Sequence, residues 1–214
     1  EWEKHKITIL DTPGDSNFSY DTRNCLRVAD GIIVVIDAVG GVEFQTEKVW
    51  EYADEYRLPR VVFISRMDRE RADFFTCLET IKSRLGKKAT PVVLPIGTEE
   101  KFQGVVDLIT KKAFIFDGTG GKYKSADIPV DMKDIVEKYR ENMVEDIAES
   151  DEKLMDKYLD AGELSDDELK AGLKKGVISS SLIPVVCGSA VKNIGIAPLI
   201  DLVINALPSP SERG

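Results

Sequence analysis

The chain has 214 residues, 43% of them hydrophobic and 31% charged, a balance that supports a buried core and excludes disordered and fibrous classes. Its 29 Lys and Arg against 38 Asp and Glu leave a formal charge of −9, so the overall field repels phosphate backbones and offers no general grip on nucleic acid. No apolar run nears the ~20 residues of a transmembrane helix; no membrane partner and no sequence-specific nucleic-acid partner are expected.

Cys25, Cys77 and Cys187 are an odd set separated by 52 and 110 residues, which fits neither a disulfide framework nor clustered metal ligands. A reducing, cytoplasmic setting is the expectation. His5 has no second imidazole with which to build a metal or relay site, and reads as an exposed strand residue. The chain opens Glu1-Trp2-Glu3-Lys4 and enters a hydrophobic strand within ten residues, which reads as an N-terminal truncation of a longer protein.

Short apolar runs at residues 7–10, 32–36, 61–64 and 183–186 have the length and composition of strands buried on both faces. Between the second and third, helical spacing predicts a helix over 42–56 with Val49, Tyr52, Ala53 and Tyr56 on one face. Another is predicted over 72–85, carrying Phe75, Leu78 and Ile81, and a last one carries Ile196, Leu199, Ile200, Val203, Ile204 and Leu207. Strands alternating with helices of this length predict an α/β fold, a mostly parallel sheet with helices on both faces.

The alternation fails over about 91–178, which is expected to be an inserted α+β subdomain. It holds strand candidates at 92–96, 104–108 and 113–116, a Gly-rich turn Gly118-Thr119-Gly120-Gly121, and an apolar stripe of Met132, Ile135, Val136, Tyr139, Met143 and Ile147 at helical spacing. Ser165-Asp166-Asp167-Glu168 reads as a capping box opening a further helix. Residues 131–175 hold fifteen acidic and eight basic residues, a net of −7, which is either a solvated helical face or a docking surface. The close Leu207-Pro208-Ser209-Pro210 ends a helix and reads as a linker, 208–214, to a further domain.

Three motifs carry chemistry, each at the carboxyl end of a predicted buried strand, where open α/β sheets bind ligands. After residues 7–10 comes Asp11-Thr12-Pro13-Gly14. A carboxylate there can hold Mg²⁺ through water, and a glycine lets its N–H reach a terminal phosphate; the same residues also make a good turn. After 61–64 comes Ser65-Arg66-Met67-Asp68. Asp68 can accept from the N1–H and exocyclic amine of guanine while the Arg66 stem lies against the base, or it can simply cap the next helix. After 183–186 comes Cys187-Gly188-Ser189-Ala190, whose small residues let backbone approach a flat ring, or make a tight turn.

In this order the three motifs resemble the third, fourth and fifth sequence boxes of a GTPase. Residues 11–14, Leu26-Arg27-Val28-Ala29-Asp30-Gly31, Asp37-Ala38-Val39-Gly40-Gly41-Val42, Gln45-Thr46-Glu47 and Val49-Trp50 resemble the translational GTPases. Phe102-Gln103-Gly104-Val105-Val106-Asp107-Leu108 and Leu207-Pro208-Ser209-Pro210 are similar to elongation factor G in particular. Release-factor-type and tetracycline-protection GTPases share the boxes and fit 102–108 less well.

The resemblance implies a P-loop GTPase domain over 1–90 and 179–207 with the family's insertion, binding GTP or GDP and Mg²⁺ and working on the ribosome, whose stalk protein meets the insertion. It implies that Asp11 steadies Mg²⁺, Gly14 senses the γ-phosphate with Thr12 and Pro13 beside it in the nucleotide site, Asp15 stands in the water-orienting position, and Ser65, Arg66, Met67 and Asp68 form the guanine loop. Ser189 and Ala190 then contact the base edge.

The sequence departs from this pattern in three ways. No G-x-x-x-x-G-K-[ST] occurs, and Gly118-Thr119-Gly120-Gly121-Lys122 has the wrong spacing. With the phosphate-loop strand missing, the strands at 7–10 and 32–36 are expected to face a gap. Asp15 stands where the family has histidine, and Ser65 where it has asparagine, as in a divergent paralogue. An ionised carboxylate accepts hydrogen bonds but cannot donate one, so a non-hydrolysing switch module that recruits a partner is the alternative reading.

Overall fold

The computed structural model describes residues 1–85, 89–118 and 121–213. In chain order its elements are α1 (Ser19–Val28), β1 (Ile32–Asp37), α2 (Phe44–Glu55), β2 (Arg60–Ser65), α3 (Phe74–Leu85), β3 (Ala89–Pro91), β4 (Val93–Ile96), β5 (Gly104–Asp107), β6 (Lys112–Phe116) and β7 (Tyr123–Ala126). There follow α4 (Lys133–Ala148), α5 (Glu152–Ala161), α6 (Asp166–Ile178), β8 (Ile183–Cys187), α7 (Ile196–Ala206) and the single turn α8 (Pro210–Arg213). The first sheet is parallel, in the order β1-β2-β8-β3, and the second antiparallel, in the order β4-β5-β6-β7.

The β-branched runs of β2 and β8 are buried along their whole length, as expected for central strands covered on both faces. β1 differs. Its Val34 and Ile36 are buried, but Ile33 and Val35 are 42% and 61% exposed, so one face is open and the strand forms the edge of its sheet. Sequence pattern cannot reveal this, because an edge strand and a central strand carry the same Ile and Val side chains.

The expected strand at 7–10 does not form: these residues are irregular, with Ile9 82% and Leu10 50% exposed. A strand exists only by pairing, and among the described residues nothing pairs with this run or with the free edge of β1. The N-terminus is anchored instead by a tight turn, Trp2 bridging His5 through left-handed Glu3 and Lys4, with Trp2 Nε1 donating to Asp201 of α7 at 2.6 Å. His5 is therefore exposed, as expected, but sits in this turn rather than in a strand; its Nδ1 lies 2.9 Å from Glu3 O.

α1 carries no sequence signal of the apolar kind, since only Thr22 and Leu26, one helical turn apart, are buried. It is held on α2 by Arg23, which meets Glu55 at 2.5 Å and Tyr56 at 3.1 Å. At the start of β2, Arg60 is 2% exposed. Its guanidinium lies 4.6 Å from the Trp50 ring centroid and donates to Asp54 at 2.7 Å; burial lowers its pKa against the pull of that carboxylate. A stacked, paired guanidinium is how an arginine is tolerated in a core.

The chain changes sheets at Val92, whose N–H donates to Val185 O and whose carbonyl accepts from Leu108 N, each at 3.0 Å. The short β3 before it is too brief to be predicted from pattern. Beyond the second sheet, α4 packs Val136, Met143, Val144 and Ile147 into the same core cluster as β2 and β8, and Thr90 Oγ1 ties β3 to Asp146 of α4 at 2.5 Å. The capping box at Ser165 and Glu168 forms as expected and opens α6. Glu168, hydrogen-bonded to Lys157 and to Ser165, is held at a pKa of about 2. The turn at 118–121 lies partly outside the described residues.

Candidate functional site

β2 and β8 run side by side and end together, with Ile64 opposite Cys187. Past that pair the backbone closes into a clasp: Gly188 N–H donates to Ile64 O at 2.9 Å, and Met67 N–H returns to Gly188 O at 3.2 Å. Gly188 is required here, because a Cβ on it would sit 2.4 Å from Ile194 O and against the Phe63 ring. The structure thus brings the loop at 65–68 and the turn at 188–190 together at the carboxyl edge of the parallel sheet, as the spacing of the motifs predicts.

Within the loop, Met67 is fully buried, and its carbonyl accepts from Glu99 N at 3.1 Å. Sinking Met67 into the core leaves its neighbours at the surface: Arg66 is exposed and Asp68 half-buried. Among the described residues no hydrogen bond or ion pair engages the Asp68 carboxylate, so two acceptor oxygens remain for a ligand. Ser65 is the last residue of β2, buried, and its carbonyl accepts from Ala38 N at 3.0 Å.

Ser189 departs from its expected role. It is fully buried, its hydroxyl accepts from Lys192 N at 3.1 Å, and its N–H and carbonyl are both spent on Ile194 at 2.9 and 3.0 Å. It shapes the turn and has no backbone donor left for a base. Ala190, the next residue, is exposed and is the member of the pair at the surface.

The first motif lies on a segment that no strand pairing holds among the described residues. Asp11, Pro13 and Gly14 are exposed and Thr12 half-buried on the irregular N-terminal segment, and nothing lies within 4 Å of where a Cβ on Gly14 would stand. As for residues 7–10, no strand among the described residues pairs with this run. Asp15 is ordered by a local contact, its Oδ1 accepting from Asn17 N at 2.9 Å to cap the short 3₁₀ turn Ser16–Phe18 that leads into α1.

Among the described residues no group of three His, Cys, Asp or Glu side chains could hold a metal ion. Asp11 offers one hard oxygen donor. That suits Mg²⁺, which takes one or two carboxylates and completes its shell with phosphate and water, so Asp11 fits as a single outer contact and not as a metal site of its own. The two buried cysteines are inert by the same criterion of surroundings: burial raises the Cys77 thiol to about 12 and pushes Cys187 higher. A groove of about 360 Å³ lies between Arg71, Asp73 and Phe75 on one side and Pro95, Thr98 and Glu99 on the other; it contains none of the predicted site residues.

Asp37 is the residue at this edge to which the sequence reading assigns no role. It ends β1 opposite Ser65 and accepts from Arg66 Nη1 at 2.7 Å. The signal was there in Asp37-Ala38-Val39-Gly40-Gly41, a strand-terminal aspartate followed by glycines, which is an Asx-turn pattern.

Two comparisons bear on this geometry. Residues 1–209 match the family model described as the elongation factor Tu GTP binding domain. A crystal structure of a protein from Thermus thermophilus superposes on the whole of this chain with a TM-score of 0.92 at 33% identity. The chain spans 32% of that protein's length. No helix among the described residues is long and apolar enough to cross a membrane.

Proposed function

Since the chain belongs to the family of elongation factor Tu GTP-binding domains, we propose that its sheet edge is the base-reading half of a guanine-nucleotide site. The protein is a translational GTPase of the elongation factor G type, coupling GTP hydrolysis to translocation or a related ribosomal step. The observation that carries this reading is the clasp between 65–68 and 188–190, which presents the Asp68 carboxylate, engaged by no hydrogen bond or ion pair among the described residues, beside the exposed Ala190. Asp68 accepts from N1–H and the exocyclic amine of guanine, a pair of donors adenine lacks. The Arg66 stem covers the ring, Met67 anchors the loop in the core, Ser65 fixes it to β1, and Ala190 borders the base edge.

Residues 11–15 serve the phosphates. Gly14 offers its N–H to the γ-phosphate with Thr12 and Pro13 beside it, and Asp15 stands in the water-orienting position. Asp11 would hold Mg²⁺ through water, and the ion would supply positive charge at the phosphates.

The direct test is Asp68→Asn in the full-length protein. An amide donates where the carboxylate accepts, so it fits the carbonyl of xanthine and loses a guanine donor. Preference should move from GTP to xanthosine triphosphate by roughly a hundredfold, the worth of one to two charged hydrogen bonds. Retained preference for GTP in competition binding would remove Asp68 from the base site.

The acidic segment supplies the partner. On α4, Glu137, Glu141 and Glu145 are exposed at four-residue spacing, a stripe that suits a basic partner, in this reading the ribosomal stalk protein. Deleting the segment would open the core to which α4 and α6 contribute Met143, Ile147, Leu169 and Val177, so charge reversal is the cleaner probe. Changing these three glutamates to lysine should lower ribosome-stimulated turnover several-fold at low salt, with the deficit shrinking as ionic strength rises, and leave GTP affinity unchanged. Unaltered turnover would make the stripe a solvated face.

One observation favours the alternative, a non-hydrolysing GTP switch: the Asp15 carboxylate is committed to capping the turn that starts α1.

A further inference from the structure

We propose that Asp37 is a positioning residue for base recognition: it holds the Arg66 side chain across the ends of β1 and β2, so that the Arg66 stem forms a fixed wall beside Asp68. This rests on the reading of Asp68 as the guanine acceptor.

Asp37 is itself immobilised. Its backbone pairs with Ser65, its carbonyl accepts from Gly41 N at 2.8 Å, and the next residue is gripped from both sides, Ala38 N to Ser65 O at 3.0 Å and Asp73 N to Ala38 O at 3.2 Å. The two carboxylate oxygens divide the work. Oδ1 accepts from Val39 N at 2.8 Å and Gly40 N at 3.3 Å and so fixes the side-chain rotamer; Oδ2 is left to face Arg66 Nη1 at 2.7 Å. Burial raises the Asp37 pKa, but the Val39 and Gly40 N–H groups and the Arg66 guanidinium outweigh it, and the group lies below its ordinary value, fully ionised at neutral pH.

Arg66 needs such a partner. Its φ is +62°, in the left-handed region that costs a non-glycine residue free energy, and its side chain is more than half exposed. A long, exposed side chain on a strained backbone has many rotamers to lose when a base arrives. The ion pair removes part of that freedom in advance, which is how preorganisation raises affinity without a new ligand contact. Cys77 and Asp73 are the other groups at this corner: the Cys77 thiol meets Asp37 O at 3.9 Å, and the Asp73 carboxylate is turned to Phe75, Thr76 and its own helix start. Neither competes for Arg66.

The test is a double-mutant cycle on GDP affinity in the full-length protein, with Asp37→Asn, Arg66→Ala and the pair. Asparagine keeps an oxygen for Val39 and Gly40 and puts an amide NH2 where Oδ2 accepted from Arg66, so the charge and that hydrogen bond are lost together. Asp37→Asn should weaken GDP about three- to fivefold, the upper range for a half-exposed ion pair, with the melting temperature unchanged. In the Arg66→Ala background the same change should cost nothing. Equal losses in both backgrounds, no loss in either, or a lowered melting temperature that accounts for the weakening would overturn the proposal. Asp68→Asn runs alongside: if it switches the base preference while the cycle is additive, the role of Asp37 alone fails. If it does not switch, the base-site reading fails and this inference with it.

Discussion

Replacing Asp15 by histidine should, on the proposed reading, raise ribosome-stimulated GTP hydrolysis by a factor on the order of 10²–10⁴, the contribution of a well-placed group that handles or orients the attacking water. The carboxylate is poorly suited to that position for two reasons. Ionised, it has no proton to donate, and its charge would stand near the negative charge of the γ-phosphate, which disfavours both. The structure adds a third: Asp15 already caps the turn Ser16–Phe18 through Asn17 N at 2.9 Å. Removing that cap costs about 1 kcal/mol of local stability, so Asp15→Asn is the matched control, since it keeps the cap, drops the charge and should not reach the histidine rate. The measurement is single-turnover hydrolysis on ribosomes at saturating GTP. An unchanged or slower rate for Asp15→His would mean that Asp15 works within a different arrangement, or that the protein is a switch that does not rely on its own hydrolysis.

The parts of the fold legible in the sequence are those in which local pattern and tertiary context agree. The unbroken runs of β2 and β8 and the helical stripes of α3 and α4 name most of their own buried faces, and the capping box at Ser165 names its own helix start, whereas α2 buries Trp50 and Ala53 and α7 buries Ala197, Pro198, Leu199, Leu202 and Ala206, of which only Ala53 and Leu199 stand on the faces read from spacing. Illegible were the elements whose existence depends on a partner. Residues 7–10 have the composition of a buried strand and form none, because composition cannot supply a neighbour to pair with. β1 carries the same kinds of residue as β2 yet lies open on one face for the same reason. β3 is three residues long and is defined by β8. α1 is polar on most of its surface and is held by Arg23 reaching Glu55 and Tyr56 beside it, a contact that no periodicity encodes.

The site divides along the same line. The loops at 65–68 and 188–190 were legible as a pair because each ends a strand that the sequence identifies, and the sheet brings the strand ends together. Which of Ser189 and Ala190 faces outward was not, since small residues look alike until the turn closes and Ser189 is seen to spend its groups on Lys192 and Ile194. The role of Asp37 was hidden too: the left-handed Arg66 backbone that sends its side chain back to β1 has no marker in an Arg-Met-Asp sequence.

These features together predict that the chain carries base contacts without a phosphate cradle. Its sequence contains no G-x-x-x-x-G-K-[ST], the motif whose amides and lysine hold the β- and γ-phosphates, and residues 11–14 stand on a segment that the sheet does not hold. On the proposed reading, what remains for GTP is Asp68 and its neighbours, a charged hydrogen-bonding contact contributing about 1.5–3 kcal/mol. Against it stands the loss of translational and rotational freedom on association, roughly 4–15 kcal/mol. Isothermal titration of this 214-residue chain with GTP and Mg²⁺ tests that balance directly. The account predicts a dissociation constant in the millimolar range or weaker; a micromolar constant would contradict it and require a phosphate site elsewhere in the chain.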